Sequence, residues 1–189
     1  MRTPIVSDEA YDRIAGAFYR RIDSIAGAVD SMAPGLEAAA ALLTQAVLED
    51  RKILVCGSDE DATLACHVAS SFRTPVAPAP ALPAIALSCE VPDDRNAWLW
   101  RDLRTLARDG DVLLCIDSAA GARLAIPCFD FAQQRNLVAI ALSEPVQGGG
   151  VCIALPPAEQ AGDRGMRAEL VLMACHCLQE QIRQFMLGE

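Results

Sequence analysis

The sequence is short of basic residues, histidine and aromatics. Sixteen Lys and Arg stand against 25 Asp and Glu, giving a net charge of −9 and a pI near 4.7. A direct grip on DNA or RNA needs a basic surface, so no direct nucleic-acid contact is expected. A basic, nucleic-acid-binding protein is still compatible as a partner. Aromatics make up only 5% of the chain, and with alanine abundant this favours closely packed helices. No CxxC occurs among the eight cysteines, at 56, 66, 89, 115, 128, 152, 175 and 177. Most fall in apolar strand-like or helical stretches and read as buried, reduced thiols of a cytoplasmic protein. The start, MRTPIVSDEAYDRIAG, has no apolar h-region, so no signal peptide is expected. No uninterrupted apolar run reaches the roughly 18 residues of a membrane span, so no membrane role is expected.

What is present is 52% apolar and 22% charged over 189 residues. That composition excludes disorder and suits one domain with a sizeable core. Val6 to Met32 reads as a helix with Ser7 as its N-cap. Ile14, Phe18, Ile22, Ile25 and Val29 form one apolar stripe along it. APG at 33–35 breaks the pattern, and Leu36 to Glu49 reads as a second, alanine-rich helix. Beyond it, short apolar strands alternate with helices. KILVCG, PAIALS (83–88), DVLLCID (111–117), LVAIALS (137–143) and VCIAL after GGG (148–150) are the strands. Asp61 to Phe72, Ala97 to Ala107, Ala120 to Gln134 and Arg164 to Leu187 are the helices. Strands that are apolar throughout and alternate with helices imply a parallel sheet covered on both faces.

The stretch KILVCGSDEDATLACHVASSF, 52–72, has the strand–turn–helix layout that holds phosphate at a helix N-terminus. Its turn nevertheless carries Asp59, Glu60 and Asp61. VLLCIDSAAGARLA echoes ILVCGSDEDATLA further on. In an open parallel sheet both turns lie at the carboxyl ends of their strands, where ligands collect at the topological switch point.

These segments resemble a sugar isomerase (SIS) domain of the phosphoheptose isomerase group, which includes replication-initiator-associating proteins of the DiaA kind. The family signature CGNGGSA stands here as CGSDEDA, 56–62. PAIAL is at 83–87, and the family's GDVLLxISTSGNS is GDVLLCIDSAAGA, 110–122. VIALT is AIALS at 139–143, and the closing QExHxxxxH helix is AELVLMACH, 168–176. The resemblance implies a three-layer α/β sandwich with a five-stranded parallel sheet in flavodoxin-like order. It makes 1–189 a single SIS domain, in which 6–50 is a helical oligomerisation segment and 51–189 the α/β core. It also implies a homotetramer with sugar-phosphate pockets near subunit interfaces.

The departures fall on the chemistry. Family loops use Gly for close approach and Ser or Thr as phosphate donors. Here Ser58, Ser88 and Ser118 are the remnant, and Asp117 adds a further negative charge. Two like charges a few ångströms apart repel by roughly 1–4 kcal/mol between bulk-water and surface-like dielectrics, so a sugar-phosphate ligand is doubtful. The acidic residues at the start of the first-loop helix read instead as caps that complement its dipole. The family's catalytic Glu is matched by Ser71, which has no basicity near neutral pH. Its two histidines match His67 and His176, and its Gln matches Ala168. Zinc-containing members resemble the set His67, Ser71, Ala168 and His176, and two imidazoles are too few for zinc. No cofactor is expected, with zinc on His67 and His176 the alternative. The two histidines read as partly buried, hydrogen-bonded imidazoles. In DiaA-like proteins an apolar pair at the end of the closing helix contacts the initiator; Met186 and Leu187 match it. The expected function is therefore a non-catalytic scaffold or regulator that binds a protein partner such as the replication initiator. A phosphosugar isomerase using His67 and His176, or a sensor of an uncharged or cationic sugar derivative, is the alternative.

Overall fold

The structure, a computed structural model, describes residues 7–75, 80–87, 97–157 and 164–188. Its elements are α1 (Asp8–Leu48), β1 (Ile53–Gly57), α2 (Glu60–Arg73), β2 (Ala84–Leu87), α3 (Ala97–Leu106), β3 (Val112–Asp117), α4 (Ala125–Gln134), β4 (Val138–Ser143), β5 (Val151–Ala154) and α5 (Arg164–Leu187). All strand pairings are parallel, in the order β2-β1-β3-β4-β5, which is the flavodoxin-like order.

The strands are buried on both faces because successive side chains alternate across the sheet. Ile53, Val55, Val112, Leu114, Ile116, Ile140, Leu142 and Ile153 face a core built with α1, α2 and α5. Leu54, Cys56, Leu113, Cys115, Ala139 and Ala141 face a second core built with α3 and α4. This is why the strands read as continuous apolar runs rather than alternating ones.

One expectation fails at the start. The two N-terminal helices are a single 41-residue helix that runs straight through Pro34. Proline at that position removes the hydrogen bond to the carbonyl of Asp30. The helix survives because its buried stripe continues across the break, from Ala28 and Met32 to Ala39, Ala40, Leu43 and Ala46, while Pro34 itself is exposed. Gly35 explains the close approach: a Cβ there would lie 2.5 Å from the Cys152 carbonyl oxygen of β5. The N-cap expectation holds, since the Ser7 hydroxyl accepts from the Ala10 N–H at 3.3 Å. By composition over a window, α1 is the described helix long and apolar enough to cross a membrane. A third of that window is already buried inside the fold.

A second difference concerns α4, which starts at Ala125 rather than Ala120. Gly121 and Ala122 have φ of 90° and 45°, outside the helical region. The segment between β3 and α4 is therefore an open loop at the carboxyl edge of the sheet.

The connection from β4 to β5 has no helix. Seven residues suffice because β5 starts beside Ile140, only part-way back along β4. Gly150 makes this passage, where a Cβ would lie 2.7 Å from the Ala139 carbonyl oxygen and 2.8 Å from the Phe129 ring.

Candidate functional site

β1 and β3 are neighbours, and the chain leaves them towards opposite edges of the sheet. The loops after them therefore flank the switch point, as the sequence implies. The first loop is a β-turn, with the Asp61 N–H donating to the Ser58 carbonyl at 3.0 Å. Asp59 has φ 52° and ψ −120°, the first central position of a type II′ turn, where glycine is the usual residue. The loop keeps a glycine backbone without the glycine.

The capping expectation does not hold in detail. Asp59 occupies the N-cap position of α2 but makes no side-chain capping bond. Asp59 and Glu60 are exposed, whereas Asp61 is only 5% exposed and turns inward. Its carboxylate accepts from the Ser118 N–H at 2.8 Å and from the Ser118 hydroxyl at 2.6 Å. Burial pushes the Asp61 carboxyl above its usual range, against the Ser118 hydrogen bonds and the Arg167 charge that pull it down. Asp117, equally buried, accepts from the Leu124 and Ala125 N–H groups at 2.6 and 2.9 Å. Those are the amides at the start of α4. Glu144, just beyond β4, accepts from the Gly121 N–H at 2.9 Å and from Arg167 Nη1 at 3.0 Å. Donors that an anion would need at the second loop are thus taken by the protein's own carboxylates, one of them supplied by the first loop. Ser118 keeps its hydroxyl but spends it on Asp61. Ser58 is half-buried beside the turn, and Ser88 lies outside the described residues.

His67 of α2 and His176 of α5 come together, with ring centroids 6.4 Å apart in an edge-on arrangement. Both are exposed rather than partly buried. Each is on the first polar face outside the apolar stripe of its helix, beside buried Val68 and Cys175. Ser71 donates to the Gln179 Oε1 at 3.0 Å, so the position of the family's base is a neutral cross-helix hydrogen bond. Ala168 offers no donor. These two positions supply, among the described residues, neither the third nor the fourth ligand that zinc takes. Among the described residues the histidines belong to no cluster of three potential metal ligands. Glu169 pairs with Arg21 at 2.5 Å and ties α5 to α1.

No family model matches the chain. It is 32% identical over 144 residues to the DnaA initiator-associating protein DiaA of Yersinia enterocolitica, covering 70% of this chain and 72% of that one. It is 29% identical over 195 residues to the phosphoheptose isomerase of Thiobacillus denitrificans, covering 94% and 97%. The phosphoheptose isomerase of Francisella tularensis superposes with a TM-score of 0.77 at 21% identity, covering 93% of this chain. The chain belongs to the SIS-domain group of phosphoheptose isomerases and DiaA proteins.

In this SIS domain the end of α5 differs from a simple apolar pair. Ile182 is fully buried and Met186 is half-buried, lining a shallow groove with Phe72, Leu82, Gln179 and Arg183. Leu187 is 42% and Phe185 48% exposed. Phe185 therefore faces out. The most solvent-facing apolar groups are Phe185 and Leu187, with Met186 bridging to the core.

Sequence reasoning treats Asp61 as one of three charges at a helix start, and it passes over Glu144 and Arg167. A signal exists for Asp61, which stands where the SIS signature has a hydroxyl. Arg167 and Glu144 carry no local motif, because α5 and β4 meet only in the folded chain. Arg167 is buried, pairs with Glu144 and bears electrostatically on Asp61, while its Nε and Nη2 make no hydrogen bond among the described residues.

Proposed function

We propose that this SIS-domain chain is a non-catalytic scaffold or regulatory protein of the DiaA kind, which captures a protein partner such as the replication initiator. The observation that carries the reading is the Asp61 carboxylate on both donors of Ser118. A sugar phosphate would have to displace a buried, internally bonded anion and then sit beside Asp117 and Glu144. Ser71 in place of the base argues in the same direction, since aldose–ketose interconversion needs a group to move a proton. We further propose a cytoplasmic homotetramer, without zinc, without direct nucleic-acid contact and outside the membrane. The relative of Yersinia enterocolitica named for association with the DnaA initiator supports that choice of partner.

The isomerase reading rests on the facing His67 and His176 rings and on likeness to phosphoheptose isomerases over nearly the whole chain. Calorimetry and a turnover assay with sedoheptulose 7-phosphate separate the two, alongside capture of a purified initiator protein on immobilised chain. The scaffold reading expects no heat, no turnover and initiator capture. Micromolar binding with turnover gives the isomerase reading first place. Binding of an uncharged or cationic sugar without turnover favours a sensor.

A further inference from the structure

Three thiols converge on the face of the sheet opposite α1, beneath the loops described above. Cys56 on β1 and Cys115 on β3 are direct partners across the parallel ladder. Cys128 reaches them from the first turn of α4. The three sulfurs all lie within 4.8 Å of one another, and those of Cys56 and Cys128 are 3.9 Å apart. The residues are 0%, 0% and 1% exposed, in a cluster with Leu54, Leu113, Leu124 and Phe129.

We propose that Cys56, Cys115 and Cys128 form a three-sulfur site for a thiophilic trivalent metalloid, of which arsenite is the accessible form. Spacing is the first argument. Bonds of about 2.3 Å to a shared planar or tetrahedral centre place sulfurs roughly 3.8–4 Å apart, and a pyramidal trivalent centre needs them somewhat closer, so the triad, with Cys56 and Cys128 at 3.9 Å, has to contract only slightly. Coordination number is the second. Among the described residues no carboxylate or imidazole joins the cluster, and the apolar surroundings exclude the water that would complete a zinc tetrahedron. An ion satisfied by three sulfurs fits; one that needs four ligands does not.

Charge decides among thiophilic ions. An unbalanced charge in an apolar interior is costly. Three thiolates leave a net −2 around monovalent copper and −1 around a divalent ion, and buried Asp117, two residues along β3 from Cys115, opposes both. Around a trivalent centre they leave zero. The exchange is also balanced without a redox partner. Three arsenic–oxygen bonds of neutral arsenous acid break, and three arsenic–sulfur bonds form. Each thiol proton leaves with a hydroxide as water, and arsenic stays trivalent. Entry requires the first turn of α4 to lift, so binding is slow and limited by local opening.

The test uses the full native chain in a phosphine reductant, with arsenite as the probe. Intact mass should show one arsenic gained and three hydrogens lost, with a new near-ultraviolet sulfur-to-arsenic band. Slow alkylation and peptide mapping, read against an arsenite-free control, should find Cys56, Cys115 and Cys128 modified at the rate of local opening without arsenite and protected with it, while exposed Cys66 is modified in both. Cys128→Ala should abolish the adduct, and the combined Cys66→Ala and Cys177→Ala variant should keep it. If Cys128→Ala does not fold, the alkylation map of the wild type decides alone. Protection of Cys66, Cys152 or Cys177 in place of the triad overturns the proposal. So does an adduct that forms only on unfolded chain, or retention of zinc or monovalent copper by the triad when arsenite is not bound.

Discussion

At the scale of single residues, the candidate site is governed by which carboxylates point inward. Asp61 is the informative one. Burial raises its folded-state pKa above the unfolded value, so the folded chain binds that proton more tightly than the unfolded one. Its ionised form therefore costs stability at neutral pH, and the cost is relieved as pH falls through the folded pKa. Asp61→Asn keeps an acceptor for the Ser118 N–H and a donor for its hydroxyl, and it removes the charge. The variant should exceed the wild type in stability at pH 7, by a margin that shrinks on acidification; urea unfolding at pH 7 and pH 5 measures it. Asp59 gives a separate prediction. Asp59→Gly removes a side chain from a type II′ position and should stabilise by about 0.5–1 kcal/mol, seen as a higher Tm. Asp117→Ala should do the reverse, by about 2–3 kcal/mol, because two charge-assisted bonds to the amides that open α4 are lost. The charges at 59, 60, 61 and 117 are legible in the sequence, and so is the loss of the family's base at Ser71. Their orientation is not. Exposed Asp59 and buried Asp61 are separated by one residue, and only the packing of α2 against β3 tells them apart.

At the scale of elements, the strands and the closing helix follow from the sequence almost without change, because a buried parallel strand leaves an apolar run that loops cannot imitate, while their order in the sheet is implied by the family resemblance. The ends and breaks of helices follow less well. Proline is a strong local signal, and it is overruled in α1 because the packed stripe on both sides of Pro34 outweighs one lost hydrogen bond. The extra residues assigned to the start of α4 fail for a non-local reason, since Asp117, at the end of the preceding strand, fixes Ala125 as the first helical residue. Pro34 is exposed and contributes no core packing, so Pro34→Ala restores the bond to Asp30 without opening a cavity. It should stabilise the chain by about 1–3 kcal/mol, measured as a raised midpoint in urea with unchanged slope. A destabilised Pro34→Ala variant would mean that α1 needs a bend there to follow β5.

At the scale of the whole molecule, the first half of α1 is the feature that one copy of the chain does not complete. Its stripe was read as Ile14, Phe18, Ile22, Ile25 and Val29. In the monomer only Ile25 packs against the core, while Phe18 is 66% and Ile22 55% exposed, with Tyr11 and Tyr19 beside them. A contiguous apolar face of that kind marks an interaction surface, and self-association is the economical way to cover it. Light scattering should give a mass near four times 20.1 kDa. Phe18→Glu with Ile22→Glu should lower the mass while leaving the α/β core folded, because neither side chain is part of it. Assembly then bears on partner capture. Each copy presents Phe185 and Leu187 at the end of α5, and several weak contacts displayed together gain roughly 10²–10⁴ in avidity when geometry lets them engage at once. Phe185→Ala with Leu187→Ala should therefore abolish capture of the initiator without changing the mass. The α1 double variant should weaken capture by reducing valency while leaving each single contact intact. Surface plasmon resonance on immobilised initiator separates the two. The α5 variant should lose the signal altogether, and the α1 variant should show fast dissociation at an unchanged association rate. Equal dissociation rates for the wild type and the α1 variant would place the partner surface on one copy and remove assembly from the mechanism.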